Sequence, residues 1–72
     1  MSDLMTKWQE RVDLLASGYE HYTTTGKWVG GPKLSSGDKS DIREQVKKHG
    51  RRMRGVDAAH NIMGFPPGIS PV

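Results

Sequence analysis

Asp3-Leu-Met-Thr-Lys-Trp-Gln-Glu-Arg-Val-Asp-Leu-Leu-Ala-Ser-Gly-Tyr-Glu-His-Tyr22 is the stretch that settles the class of fold. Leu4, Met5, Trp8, Val12, Leu15, Tyr19 and Tyr22 recur at steps of three and four. That spacing puts them on one face of an α-helix. Lys7, Glu10, Arg11 and Asp13 fall on other faces, where they are expected to stay solvated. Ser2 is suited to cap the first turn, and Asp3 complements the positive end of the helix dipole. The pattern predicts a first helix from Asp3 to Tyr19 or Tyr22. Gly18 is its weak point, costing about 1 kcal/mol relative to alanine inside a helix.

Downstream, residues 23–37 read Thr-Thr-Thr-Gly-Lys-Trp-Val-Gly-Gly-Pro-Lys-Leu-Ser-Ser-Gly, the composition of a connector. Three successive threonines disfavour helix, and Gly26, Gly30, Gly31 and Pro32 supply turns. The segment from Tyr22 to Val29 allows a short hairpin, too small to stand alone. Trp28, Val29 and Leu34 are expected to pack back on the first helix. A second helix is predicted to begin near Ser36–Ser40, carry Ile42, Val46 and His49 on one face, and end or bend at Gly50. A third, over about Arg52–Met63, would bury Val56, Ala59, Ile62 and Met63. Gly64 fits its C-terminal cap, with Pro66 and Pro67 as stops. The tail Pro66-Pro67-Gly68-Ile69-Ser70-Pro71-Val72 has no means of forming a helix and is expected to be extended.

The expected architecture is therefore mostly α: a small domain of two to three helices over residues 1–64, comprising helix one (1–22), a Gly-rich connector (23–37) and a basic helical region (38–64). A flexible Pro-rich tail follows over 65–72. The chain has 72 residues, of which 33% are hydrophobic. A domain of this size buries only about 60% of its unfolded surface, so the core is thin. There is no cysteine, hence no disulfide and no thiolate. His21, His49 and His60 lack the paired spacing of a zinc site. No metal or cofactor is expected. No apolar run approaches the roughly 20 residues of a membrane span. The N-terminal residues lack the layout of a secretory signal, and with the missing cysteines this favours the cytoplasm.

Catalysis calls for a nucleophile and a base in a concave pocket, which a core this thin can scarcely build. Lys27 stands between glycines in Gly26–Gly31, but without the spacing of a phosphate loop. The sequence thus points to a binding module rather than an enzyme. Charge divides it: residues 1–31 carry net −1 and residues 32–72 net +4, matching the total of +3. In Arg43–Arg54, six of twelve residues are Lys or Arg, against one Glu. Such clusters attract phosphates or acidic protein surfaces. On a continuous helix Arg43, Lys47 and Arg51 would form one row, with Lys48 and Arg52 beside it and Arg54 beyond. Met1, Met5, Trp8 and Trp28 supply the large apolar side chains. They serve a core first, but Trp and Met are also enriched at interface centres. Leu4, Met5 and Trp8, in the first turns, are the candidate docking face.

The segments Ile42-Arg-Glu-Gln-Val-Lys-Lys-His-Gly50 and Val56-Asp-Ala-Ala-His-Asn-Ile-Met-Gly-Phe65 resemble the front half of a homeodomain-like helix-turn-helix. In that family the stretch matching Val46–Gly50 closes one helix. The pair matching Ala58-Ala59 lets the next helix pack tightly, and the residues matching Met63-Gly64-Phe65 form the turn before recognition. The recognition helix would begin near Pro66, where two prolines stand, so base reading in a major groove is not expected. The overall profile also resembles the small RNA-polymerase-binding transcription regulators of bacteriophages, of the type found in a Xanthomonas phage. The features it shares are the length, the lack of cysteine, the basic C-terminal half and the tryptophan-bearing N-terminal segment. That resemblance implies a protein that binds host RNA polymerase, inhibits initiation and permits read-through of terminators.

Taken together, the expectation is a monomeric transcription regulator. Leu4, Met5 and Trp8 would anchor a protein partner. Arg43, Lys47, Lys48, Arg51, Arg52 and Arg54 would meet acidic polymerase surface or nearby nucleic acid. The alternative is a small basic DNA-binding protein with a truncated helix-turn-helix, using Trp28 as a stacking group. A structural role, as a phage virion component, is a third.

Overall fold

The computed structural model describes residues 3–28, 34–64 and 66. They form a mostly helical domain of three α-helices: α1 (Asp3–Thr25), α2 (Ser36–His49) and α3 (Gly55–Met63). A single 3₁₀ turn, Gly50–Arg52, joins α2 to α3. No strand occurs among the described residues, so the hairpin expected around Tyr22 is absent there, Val29 being outside them. The tail beyond Pro66 and the Ser2 cap also lie outside the described residues.

The helical period of α1 delivers its core. Val12, Leu15 and Tyr19 are fully buried and meet Ile42 of α2 and Ala58 and Ala59 of α3. Trp8, Tyr22, Trp28, Leu34, Val46, Met53, Ile62 and Met63 pack around this nucleus. α3 packs chiefly against α1. The two alanines make a close approach feasible, as the Ala58-Ala59 pair suggested. A buried apolar side chain of this size contributes about 1.5–3 kcal/mol, which matters greatly in a domain this small.

α1 runs three residues beyond Tyr22, and Thr23, Thr24 and Thr25 are helical rather than connector. Each threonine hydroxyl donates to a carbonyl one turn back: Thr23 to Tyr19 (2.9 Å), Thr24 to Glu20 (2.7 Å) and Thr25 to His21 (2.9 Å). Those bonds satisfy the hydroxyls within the helix, while the stacking of Tyr22 on Trp28 and the Arg51 bond to the Thr23 carbonyl supply the tertiary contacts that offset the poor propensity of a β-branched run. Gly26, Gly50 and Gly64, each next to a helix C-terminus, all take positive φ. The cap expected at Gly64 is in place, its N–H donating to the His60 carbonyl.

α2 begins with a capping box. The Asp38 N–H donates to the Ser35 hydroxyl (3.1 Å), and the Ser35 N–H donates to the Asp38 carboxylate (3.2 Å). Asp38 is only 7% exposed and also accepts two bonds from the Arg11 guanidinium, at 2.6 and 3.1 Å. Arg11 is therefore tied to α2 and not simply solvated. Its guanidinium holds Asp38 below the usual carboxylate range, opposed by burial and helped by the Ser35 bonds. The arginine is raised in turn, chiefly by that same hydrogen bond.

α3 starts at Gly55, three residues later than expected, because Arg54 is extended and supplies no side-chain cap. The cap comes from α1: the Gly55 N–H donates to the Glu20 carboxylate at 2.5 Å. Val56 is 38% exposed and does not join the core, whereas Ala59 is buried and Ile62 and Met63 are half-buried. α2 and α1 are joined again where the Tyr19 hydroxyl donates to the Gly50 carbonyl. Burial pushes the Tyr19 phenol up, with the nearby Glu20 charge adding to it. Tyr19→Phe keeps the ring and deletes this bond. It should cost about 1 kcal/mol, read as a fall of roughly 5 °C in a thermal melt. An unchanged melting temperature would show that the bond adds nothing.

Candidate functional site

The first turns of α1 place Leu4 and Trp8 one turn apart on the same side. Leu4 is 69% exposed, while Met5 and Trp8 are half-buried. Leu4 thus leaves the packed face on which its spacing put it, whereas Trp8 stays at its edge. The Trp8 ring stacks on His60 of α3, with centroids 5.6 Å apart and planes 10° from parallel. His60 is exposed, and its role is this aromatic contact rather than core packing. A recess of about 480 Å³ opens here, lined by Trp8, His60, Asn61, Gly64 and Pro66. The Trp8 Nε1–H is buried and has no acceptor among the described residues. A concave surface of indole, imidazole and proline with one amide at its edge suits an apolar side chain.

The basic segment does not form the single helical stripe expected from Arg43–Arg54. α2 stops at His49, Arg51 and Arg52 lie in the 3₁₀ turn, and Arg54 is extended ahead of α3. Its residues therefore separate by environment. Lys48 pairs with Glu44 at 3.6 Å and Arg54 with Asp57 at 3.3 Å, both exposed contacts of small energetic weight. Arg51 donates through Nε to the Thr23 carbonyl at 3.1 Å, which ties it to the end of α1. Arg52 and Lys47 are exposed. Arg43 is drawn to an aromatic pair: Tyr22 and Trp28 stack at 4.2 Å and 12°, and the Arg43 guanidinium lies 5.4 Å from the Trp28 ring centre. Lys39 Nζ lies 5.9 Å from the same ring. Counting cations along the Arg43–Arg54 run missed Lys39; the four-residue step from Lys39 to Arg43 to Lys47 was the signal that would have found it.

Trp8 and Tyr22 are fourteen positions apart on α1, so the apolar recess and the aromatic–cation cluster stand about 20 Å apart along its axis. Two further recesses carry charged side chains. One of about 630 Å³, flanked by α1 and the start of α3, is lined in part by Glu20, His21, Arg54 and Val56. The other, about 190 Å³, gathers Asp41, Glu44, Gln45, Asn61 and Ile62. No group of three or more histidine or acidic side chains is placed to hold a metal among the described residues. No described helix is long and apolar enough to cross a membrane. Comparison with family models, curated proteins and solved structures returns no match to this chain.

Proposed function

We propose that this chain is a non-enzymatic docking module that regulates transcription by binding bacterial RNA polymerase in the host cytoplasm, inhibiting initiation, promoting antitermination, or both. The observation that carries the docking reading is the exposed Leu4 one turn from the Trp8–His60 recess. An exposed leucine beside a half-buried tryptophan forms the kind of apolar anchor that a protein partner buries at an interface centre. The polymerase as partner rests on the resemblance to small phage regulators. The chain acts as a monomer in this reading, and its exposed cations steer association with the acidic surface of the enzyme.

The test is a binding titration with purified bacterial RNA polymerase. Leu4→Asp and Trp8→Ala should each weaken affinity about tenfold, with little dependence on salt, because buried apolar anchors mainly slow release. Leu4 is exposed, so its variant keeps the fold even if Trp8→Ala does not. Neutralising Arg51 and Arg52 together should weaken binding most at low salt. Equal affinity for wild type and all variants, with folds checked by circular dichroism, would overturn the proposal. So would the absence of polymerase from a pull-down repeated after nuclease treatment.

A further inference from the structure

α2 separates its charges by face. Lys39, Arg43 and Lys47 follow one another at four-residue steps, about 6 Å apart along the axis. None of the three makes an ion pair among the described residues. The carboxylates lie elsewhere on the helix: Asp38 is turned inward to Arg11, and Asp41 and Glu44 line the recess beside Asn61 and Ile62 of α3. The cationic row runs past Trp28, which stacks on Tyr22 and draws both Lys39 and Arg43 towards its ring. Close to the end of the row, the Arg51 Nε–H is held by the Thr23 carbonyl.

We propose that this row binds single-stranded nucleic acid, with Lys39, Lys47 and Arg51 on phosphates spaced along the strand and a base stacked on the Arg43 guanidinium. Charge selects a polyanion, but the aromatic component selects among polyanions. An acidic peptide gains nothing from a guanidinium plane backed by a tryptophan, whereas an unstacked base does. Cation–π contact with Trp28 holds Arg43 in place before the ligand arrives, lowering the cost of ordering a long side chain. Duplex bases are stacked on one another and offer no free face, so a single strand is favoured. The surface lies about 20 Å along α1 from the Trp8 recess, and strand binding is measured without polymerase.

The experiment uses the whole chain and a fluorescein-labelled single-stranded oligonucleotide of about twelve bases, a length within the range one small domain covers. Anisotropy titrations run from about 50 to 200 mM salt. Binding should weaken with salt, and the Lys39→Gln, Arg43→Gln, Lys47→Gln triple variant, which removes two phosphate contacts, should lower the slope of log affinity against log salt by about 1.4, at roughly 0.7 per phosphate. Arg43→Lys keeps the charge and removes the plane; it should leave the slope unchanged and still weaken binding several-fold. Arg43 and Lys47 are exposed and Lys39 is half-buried, none of them in the core, so circular dichroism should show intact helices in every variant. Equal affinity for wild type and the triple variant would overturn the proposal, as would tighter binding of a duplex of the same length. Displacement of the oligonucleotide by polyglutamate as effective, charge for charge, as by unlabelled strand would assign the row to acidic protein instead.

Discussion

Gly55→Ala should lower the melting temperature by on the order of 15 °C, equivalent to about 3 kcal/mol. A Cβ built on Gly55 would lie 2.4 Å from the Ala16 carbonyl oxygen and 2.7 Å from Glu20 Cγ. The first of these is backbone and cannot swing away, so α3 must lift off α1. That movement would open the contact between Ala58, Ala59 and the Val12–Leu15–Tyr19 face on which the core is built. It would also lengthen the bond from the Gly55 N–H to the Glu20 carboxylate, the side-chain cap of α3. Propensity alone predicts the opposite sign, because alanine exceeds glycine by about 1 kcal/mol within a helix. Gly37→Ala is the control. It lies in the first turn of α2, and its Cβ would meet nothing nearer than the Ser35 hydroxyl at 3.8 Å. It should leave the melting temperature unchanged or raise it by a few degrees. If Gly55→Ala behaves like Gly37→Ala, the close packing of α1 on α3 is wrong.

The sequence revealed this contact only indirectly. The helical period of Val12, Leu15 and Tyr19 was readable because it repeats locally, and so were the Ala58-Ala59 pair and the Gly64 cap. Gly55 gave no local sign, since the atom that excludes a side chain there belongs to Ala16, thirty-nine positions earlier. Val56 misled because the contact of α1 with the start of α3 is made by Gly55, and Val56 beside it lines an open recess instead. The threonines misled because propensity describes an isolated helix, while this helix end is held by Tyr22 stacking on Trp28 and by Arg51 on the Thr23 carbonyl. Among the site residues, Leu4 and Trp8 were legible as a pair on one face, but the stacking of Trp8 on His60 was not. The cations were counted as a run in sequence, whereas the turn at Gly50 breaks that run and the row that survives starts upstream, at Lys39.

Asp38→Ala should cost about 2 kcal/mol, combining a lost helix cap with a lost charge-assisted contact. The carboxylate serves two elements at once. It accepts from the Ser35 N–H within the capping box of α2 and from the Arg11 guanidinium of α1. Arg11 keeps 44% of its side chain exposed and can rehydrate when its partner is removed, which holds the loss to the lower end for a semi-buried pair. The pH dependence separates this account from simple loss of packing. Asp38 is held below its ordinary carboxylate value in the folded chain, first by the Arg11 hydrogen bond. Its stabilisation is therefore complete above the unfolded value of about 4 and fades as pH falls through the lower, folded one. Urea unfolding of the wild type should show a stability loss below about pH 4 that Asp38→Asn lacks. Arg11→Met should flatten the same limb, because Asp38 then titrates nearer its ordinary value. An identical acid limb in wild type and both variants would show that the Arg11–Asp38 contact does not couple α1 to α2 in solution.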